Sequence, residues 1–256
     1  MRIAALYDIH GNAPALEAVL AEISNEGVDA IVVGGDILAG PLPSTCLSLL
    51  RQLSVPTYWL LGNAESDVLA HLAGEEIQGL GPKSADVAVW VAEQLSDDEK
   101  QFLTTWTMMQ PFEFDVLGTV LFCHATLQNN VDVFTIATSD EEARKILGET
   151  SVSTVICGHT HMQFDRQLGE VRVVNAGSVG MPFGGQGAFW LLVDETVELR
   201  RTVYDYEGAA ARIRQSNDPD AADFAANNVL QSPSREAALG FMAQIAARQA
   251  VARGMG

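Results

Sequence analysis

The sequence predicts an α/β protein whose strands deliver metal-capable side chains to one edge of a sheet. Two observations carry this. Short apolar runs alternate with helical patterns, and Asp, Asn or His stands beside Gly at the end of one predicted strand after another. Arg2–Tyr7 reads as a strand, and Asn12 caps a helix through Ser24 with Leu16, Val19, Leu20 and Ile23 at helical spacing. Ala30–Val33 is a second strand, Cys46–Leu53 a helix and Thr57–Leu61 a third strand. Such alternation predicts a parallel sheet. Ser84–Leu95 is amphipathic, and Ser96–Glu99 and Ser139–Glu142 read as capping boxes that open helices. Phe112–Val116 and Thr119–Cys123 form a hairpin over Leu117-Gly118, followed by strands at Thr154–Cys157, Val171–Val174, Phe189–Val193 and Val197–Tyr204. Beyond Tyr206 the chain is Ala-rich and helical, with Asp218-Pro219 and Ser232-Pro233 each pairing a cap with proline at the first helical position. The expected organisation is one domain over 1–205 and a helical extension over 206–256, packed on that domain, on a partner or on a second copy.

Composition sets the bounds. A chain of 256 residues buries about three quarters of its unfolded surface and holds a core without staples. At 48% hydrophobic and 19% charged it is globular rather than disordered. The formal charge is -18, and from Glu207 onward five Arg balance five acidic residues, so the excess sits before that point. An acidic body disfavours nucleic acid, whose sequence-independent binding needs Lys and Arg, and it disfavours anionic membrane surfaces. No run approaches the roughly 18 apolar residues of a membrane span. The apolar stretch after Met1-Arg2 is too short for a signal peptide and leads into Asp8. Cys46, Cys123 and Cys157 read as buried, reduced thiols, and the expected compartment is the cytoplasm.

Of five histidines, four stand at predicted strand ends. Asp8-Ile9-His10 ends the first strand, Gly35-Asp36 the second and Gly62-Asn63 the third; His124 and His159-Thr160-His161 end later ones. The crevice outside the carboxyl ends of strands is where open α/β sheets bind ligands. Gly-Asp and Gly-Asn alone are turn dipeptides. Together the set offers two carboxylates, one amide oxygen and four imidazoles, more than one ion needs and enough for two if a carboxylate bridges. Nitrogen and oxygen donors without thiolate suit Mn, Fe, Ni or Zn. The fifth, His71, lies in a polar helical stretch and reads as a surface residue.

Asp-x-His, Gly-Asp, Gly-Asn, a lone His and Gly-His-x-His, in that order, resemble the signature of the calcineurin-like metallophosphoesterases. The opening run from Asp8 to Leu16 and the turn Asn175-Ala176-Gly177-Ser178 are similar to the small YfcE-like phosphodiesterase subgroup. The resemblance implies a two-sheet β-sandwich flanked by helices. It implies that Asp8, His10 and His161 hold one divalent ion, that Asn63, His124 and His159 hold another, and that Asp36 bridges them. It further implies that a hydroxide shared by the cations attacks phosphorus in line, with Asn63 helping to neutralise the phosphoryl oxygens. The catalytic set is then Asp36, Asn63 and His124, acting on a small phosphodiester.

Two departures stand out. Many members carry a histidine after the Gly-Asn asparagine as general acid, where this chain has Ala64, with Glu65 as the candidate substitute. The Gly-Asp-x-x-Asp-Arg-Gly of protein phosphatases is absent, since Gly35–Gly40 contains no arginine. The alternatives are a nucleotide or polyphosphate hydrolase, a phosphomonoesterase, and a non-catalytic scaffold like the retromer subunit of this fold. The tail from Ser232 carries no metal-capable cluster, and Leu239, Met242 and Ile245 are expected to form a packing face without a part in the site.

Overall fold

The computed structural model describes residues 1–77, 79–81 and 83–253. The first half alternates strand and helix: β1 (Ile3–Leu6), α1 (Ala13–Ile23), β2 (Ala30–Val33), α2 (Pro43–Arg51), β3 (Thr57–Trp59) and α3 (Asn63–Ala73). Helices α4 (Ser84–Gln94) and α5 (Asp97–Leu103) lead to the hairpin of β4 (Met109–Phe114) and β5 (Gly118–Cys123). Then come α6 (Asp140–Leu147), β6 (Thr154–Cys157), β7 (Phe164–Leu168), β8 (Val171–Asn175), β9 (Ala188–Val193) and β10 (Val197–Thr202). The chain ends in α7 (Tyr206–Ile213), α8 (Ala221–Phe224), a π-helical turn over Ala225–Val229, and α9 (Arg235–Ala252).

The strands form two mixed five-stranded sheets, ordered β10-β9-β1-β2-β3 and β4-β5-β6-β8-β7. Within them β1, β2 and β3 are mutually parallel, as are β5, β6 and β8. Period-2 alternation in β1 explains the layering. Ile3, Ala5 and Tyr7 face the second sheet and meet Phe122, Ile156 and Val174, whereas Ala4 and Leu6 face the helical layer of α1, α2 and α4. Both faces of β1 are therefore covered, and its run is apolar throughout. The second sheet turns its outer face to α6, which buries Ala143, Ile146 and Leu147 against Cys123, Val155 and Cys157. The three cysteines are buried and unpaired, and burial pushes the Cys123 thiol up to about 12.

The two sheets flanked by helices are the sandwich that the resemblance implies, and β1, β2 and β3 run parallel as the strand–helix alternation predicts. Three local features differ from the sequence pattern. Strand β7 has no strand signature, because the polar run Asp165, Arg166 and Gln167 interrupts alternation on an edge strand. Pro219 does not open a helix: Asp218 accepts from the Asp220 backbone N–H in a turn, and α8 starts at Ala221. Ser234, not Ser232, caps α9, while the Ser232 hydroxyl donates to the Pro182 carbonyl at 2.8 Å. Helix α9 lies on the body of the protein, where Ala238, Met242 and Ile245 pack with Val133 and Met162. No described helix is long and apolar enough to cross a membrane.

Candidate metal centre

The loops after β1, β2, β3, β5 and β6 converge at one edge of the sandwich. They carry Asp8 and His10, Asp36, Asn63, His124, and His159 with His161. Backbone hydrogen bonds lace the first two loops together, from Asp8 N to Gly35 O at 3.1 Å and from His10 N to Asp36 O at 2.9 Å. Among the described residues the non-glycine positions with positive φ are Asp8, His10, Asp36, His159 and His161, at 53°, 47°, 53°, 67° and 58°. Left-handed backbone is rare outside glycine and clusters where function over-determines it. Here it turns each side chain back across its strand end. Gly158 is required by close approach, because a Cβ there would lie 2.6 Å from Asp8 Oδ2.

The side chains fall into two groups. Asp8, His10 and His161 have ligand atoms within 4.8 Å of one another, and so do Asp36, His124 and His159. His10 Nε2 and His161 Nε2 are 3.2 Å apart, and His161 Nε2 is 3.4 Å from Asp8 Oδ1. Across the site, His124 Nε2 is 3.2 Å from His159 Nδ1. Asp36 Oδ2 sits between the groups, 3.8 Å from His10 Nε2 and 3.7 Å from His124 Nε2. One terminal atom of the Asn63 amide faces the same centre, 3.2 Å from His124 Nε2, 2.9 Å from His159 Nδ1 and 3.2 Å from Asp36 Oδ2. Lone pairs crowded this closely repel unless a cation lies among them. Asp8 Oδ1 is likewise buried with no hydrogen-bond partner. The donor set therefore fits divalent cations on both sides of Asp36.

The outer atoms are all committed, which aims the inner ones. His10 Nδ1 donates to Ala39 O at 2.8 Å, His124 Nδ1 to Gly34 O at 2.8 Å and His161 Nδ1 to Met181 O at 2.7 Å. His159 is turned over and uses Nε2, 3.2 Å from Val131 O. A ring that donates through one nitrogen presents a lone pair at the other. Burial and then the neighbouring His124 pull His159 down to about 4, and burial and His161 also lower His10. Burial pushes the Asp8 carboxyl up, but His161 and the other imidazoles outweigh it and hold the group at about 2. His124 is raised: burial opposes its charge, and Asp36, Asp8 and the Gly34 carbonyl more than offset that.

All seven sequence-predicted donors come together. Glu65, the candidate substitute acid, is turned to the backbone. It is fully buried, and its carboxylate accepts from the backbone N–H groups of Asp36 at 2.7 Å, Ile37 at 2.8 Å, Leu38 at 3.1 Å and Gly62 at 3.1 Å. It braces the loop that carries Asp36. Burial and Asp36 push it up to about 7 against the bonds from Asp36, Ile37 and Leu38. His71 is half-buried on α3, away from both groups. Asn175 donates to Gly158 O at 2.6 Å and steadies the His159 turn, a role its place in the Asn-Ala-Gly-Ser motif could have signalled.

The packing face expected of the tail is present, with Met242 and Ile245 buried and Leu239 packed beside them. A cavity of about 540 Å³ opens over the ligands, and Phe241, Met242 and Ile245 line it together with His10, Asp36 and His159. The same face that packs on the body thus also contributes a wall of this cavity. Helical spacing identified an apolar stripe there but carried no information on what the stripe covers.

This fold, with two Asp/His groups meeting at one carboxylate, defines a metallophosphoesterase, a metal-dependent phosphoric ester hydrolase. Residues 1–197 match the calcineurin-like phosphoesterase superfamily domain, and the chain belongs to that superfamily. Over 247 residues it is 26% identical to the protein MJ0912 of Methanocaldococcus jannaschii, spanning 85% of this chain and 94% of that one. It is also 26% identical over 206 residues to phosphodiesterase YfcE of Escherichia coli, spanning 77% and 89% of the two chains. A metallophosphoesterase structure from Sphaerobacter thermophilus superposes with a TM-score of 0.69 at 22% identity, covering 90% of this chain and 99% of that one.

Proposed function

We propose that this chain is a two-metal phosphodiesterase acting on a small phosphodiester. Asp8, His10 and His161 would hold one cation and Asn63, His124 and His159 the other, with Asp36 facing both groups. The observation that carries the reading is Asp36 Oδ2, within 3.8 Å of an imidazole nitrogen of each group and unclaimed by any backbone N–H. Two such cations, when bound, supply Lewis acidity toward the phosphoryl oxygens and a nucleophile at neutral pH. The chain supplies the rest. Backbone N–H groups fix the carboxylates, carbonyls fix the rings, and the cavity walls exclude water. Ala64 puts a methyl group where a leaving-group acid is wanted, which favours a diester with a good leaving group over an alkyl monoester. The name of the YfcE relative supports the same choice.

A scaffold would have no use for seven gathered donors with left-handed backbone at five of them. The donor chemistry suits Mn, Fe, Ni or Zn, and the unpaired buried cysteines fit a reducing compartment such as the cytoplasm. The test is to strip the protein of metal, reload it singly with Mn, Fe, Ni, Zn and Mg, and follow bis-(p-nitrophenyl) phosphate. Restoration of turnover by at least one of the first four is expected. Failure of every metal to restore turnover in folded, metal-loaded protein overturns the proposal.

A further inference from the structure

The chemistry of the cavity says more about the substrate than its ligands do. Its floor is the ligand set, with Ala64 beside Asn63. Its opposite wall comes from the C-terminal helices. Phe224 is the last residue of α8, and Phe241, Met242 and Ile245 come from α9. Trp90 of α4 and Phe183 close the sides, and Phe183 lies on the His161 ring with centroids 4.8 Å apart. At about 540 Å³ the space suits a ligand of drug-like size, well beyond a bare phosphate. Phe241 is 51% exposed although it faces this cavity, an apolar surface left for something to cover.

Charge at the mouth excludes the other large candidates. Asp67, Asp86, Asp218 and Asp220 line the cavity, and the one lysine of its lining, Lys83, has its ammonium 2.6 Å from Asp220. A second phosphate reaching outward from the ligand set would meet carboxylates. A nucleotide or polyphosphate is therefore opposed where an uncharged apolar group is welcomed.

We infer that the site selects phosphodiesters whose second ester group is apolar, lodged against the wall that α9 provides. The inference rests on the phosphodiesterase reading and adds the substrate class to it. Helix α9 then has a function in specificity: it supplies the hydrophobic contact that distinguishes one diester from another. Each methylene buried there raises affinity about fourfold.

The experiment compares methyl p-nitrophenyl phosphate with octyl p-nitrophenyl phosphate on the metal-loaded full chain. The leaving group is identical, so the ratio of kcat/KM reads the second ester group. A ratio of at least tenfold in favour of octyl is expected, with octylphosphonate binding at least tenfold more tightly than methylphosphonate by calorimetry. Phe241→Asp should collapse both preferences toward one. Val251→Asp, on the same helix but 72% exposed and outside the cavity, should leave them intact. Equal kcat/KM for both esters, or a preference that survives Phe241→Asp, overturns the inference and leaves the phosphodiesterase reading standing. Tight octylphosphonate binding with no turnover of either ester does the reverse.

Discussion

His159 and Gln249 share one acceptor, the carbonyl of Val131. The ring reaches it through Nε2 at 3.2 Å and the tail glutamine through its amide nitrogen at 2.6 Å. Gln249 also accepts from the Val133 backbone N–H at 3.0 Å, so it clasps this loop from both sides. One turn further, Arg253 pairs with Asp132 at 2.6 Å. The last helix thus fixes the carbonyl that orients a candidate ligand. The loop and the helix lie 116–118 residues apart in sequence, and nothing local to either announces the contact.

Gln249→Leu should therefore weaken metal binding without removing a ligand. Groups that orient ligating histidines are worth about 10–100-fold in metal affinity when lost. Because His159 keeps the carbonyl, the expected loss is at the low end, about tenfold, confined to one of two sites. Calorimetric titration of metal-stripped protein reads it directly. Two unchanged affinities would show that the clasp positions α9 only.

Asp8 and Asp36 are held in matching fashion. His159 N donates to Asp8 Oδ2 at 2.8 Å and Ala64 N donates to Asp36 Oδ1 at 2.8 Å, leaving one oxygen of each turned inward. The inward oxygen of Asp36 is almost equidistant from the two groups, 3.8 Å from His10 Nε2 and 3.7 Å from His124 Nε2, whereas that of Asp8 is nearer its own group, 3.4 Å from His161 Nε2 against 4.0 Å from His124 Nε2. Wild-type protein should take up about two ions per chain. Asp36→Asn should weaken both sites and Asp8→Asn chiefly one. Metal analysis after equilibrium dialysis separates the cases. A wild-type stoichiometry held at one, with Asp36→Asn still active, sinks the two-metal reading.

Proton competition should show at His124. Its folded pKa is raised above the unfolded value of about 6.5. Stability from the charged ring, facing Asp36 and Asp8, is then fully present below about pH 6.5 in metal-free protein and is lost as pH rises through the folded value. Metal needs the neutral ring, so binding must expel that proton. His159, held near 4, is already neutral in the same window. Calorimetry in buffers of different ionisation enthalpy at pH 6 should report release of about one proton per chain from this ring. His124→Asn should abolish that release. No proton release from wild type at pH 6 contradicts the assignment.

The ligand set was legible in the sequence because every donor sits at a strand end, with His10, Asp36, Asn63 and His159 beside a glycine, a local pattern. Strand β6 was readable over its full length because burial on both faces makes it apolar after Thr154. Strand β7, an edge, has no such signature. Glu65 was legible as a carboxylate near the site but not as a brace, since its partners are backbone amides of a loop 27–29 residues earlier. The role of α9 was hidden for the same reason. An apolar stripe at helical spacing states that something is covered, and only tertiary structure states that it is the roof of the site.

The remaining prediction concerns Ala64. With Glu65 locked by four amides, the residue after Asn63 offers only a methyl group to a departing alkoxide. A positioned acid contributes about 10²–10⁴-fold where the leaving group must be protonated, and a nitrophenolate needs no such help. The native protein should cleave an activated aryl diester far faster than an alkyl monoester of similar size. Ala64→His should raise the rate on the alkyl ester more than on the aryl one, and Ala64 is partly exposed to the cavity, which gives the ring a direction in which to lie. The measurement is kcat/KM for both substrates in both proteins at matched metal occupancy. If the native protein handles the alkyl monoester equally well, a different side chain delivers the proton. Asp67 is then the residue to replace, because it lies one helical turn beyond Asn63, lines the same cavity, and has a carboxyl that burial raises. Loss of alkyl-ester activity in Asp67→Asn, with aryl-diester activity retained, would assign the acid there and remove the main support for a diester preference.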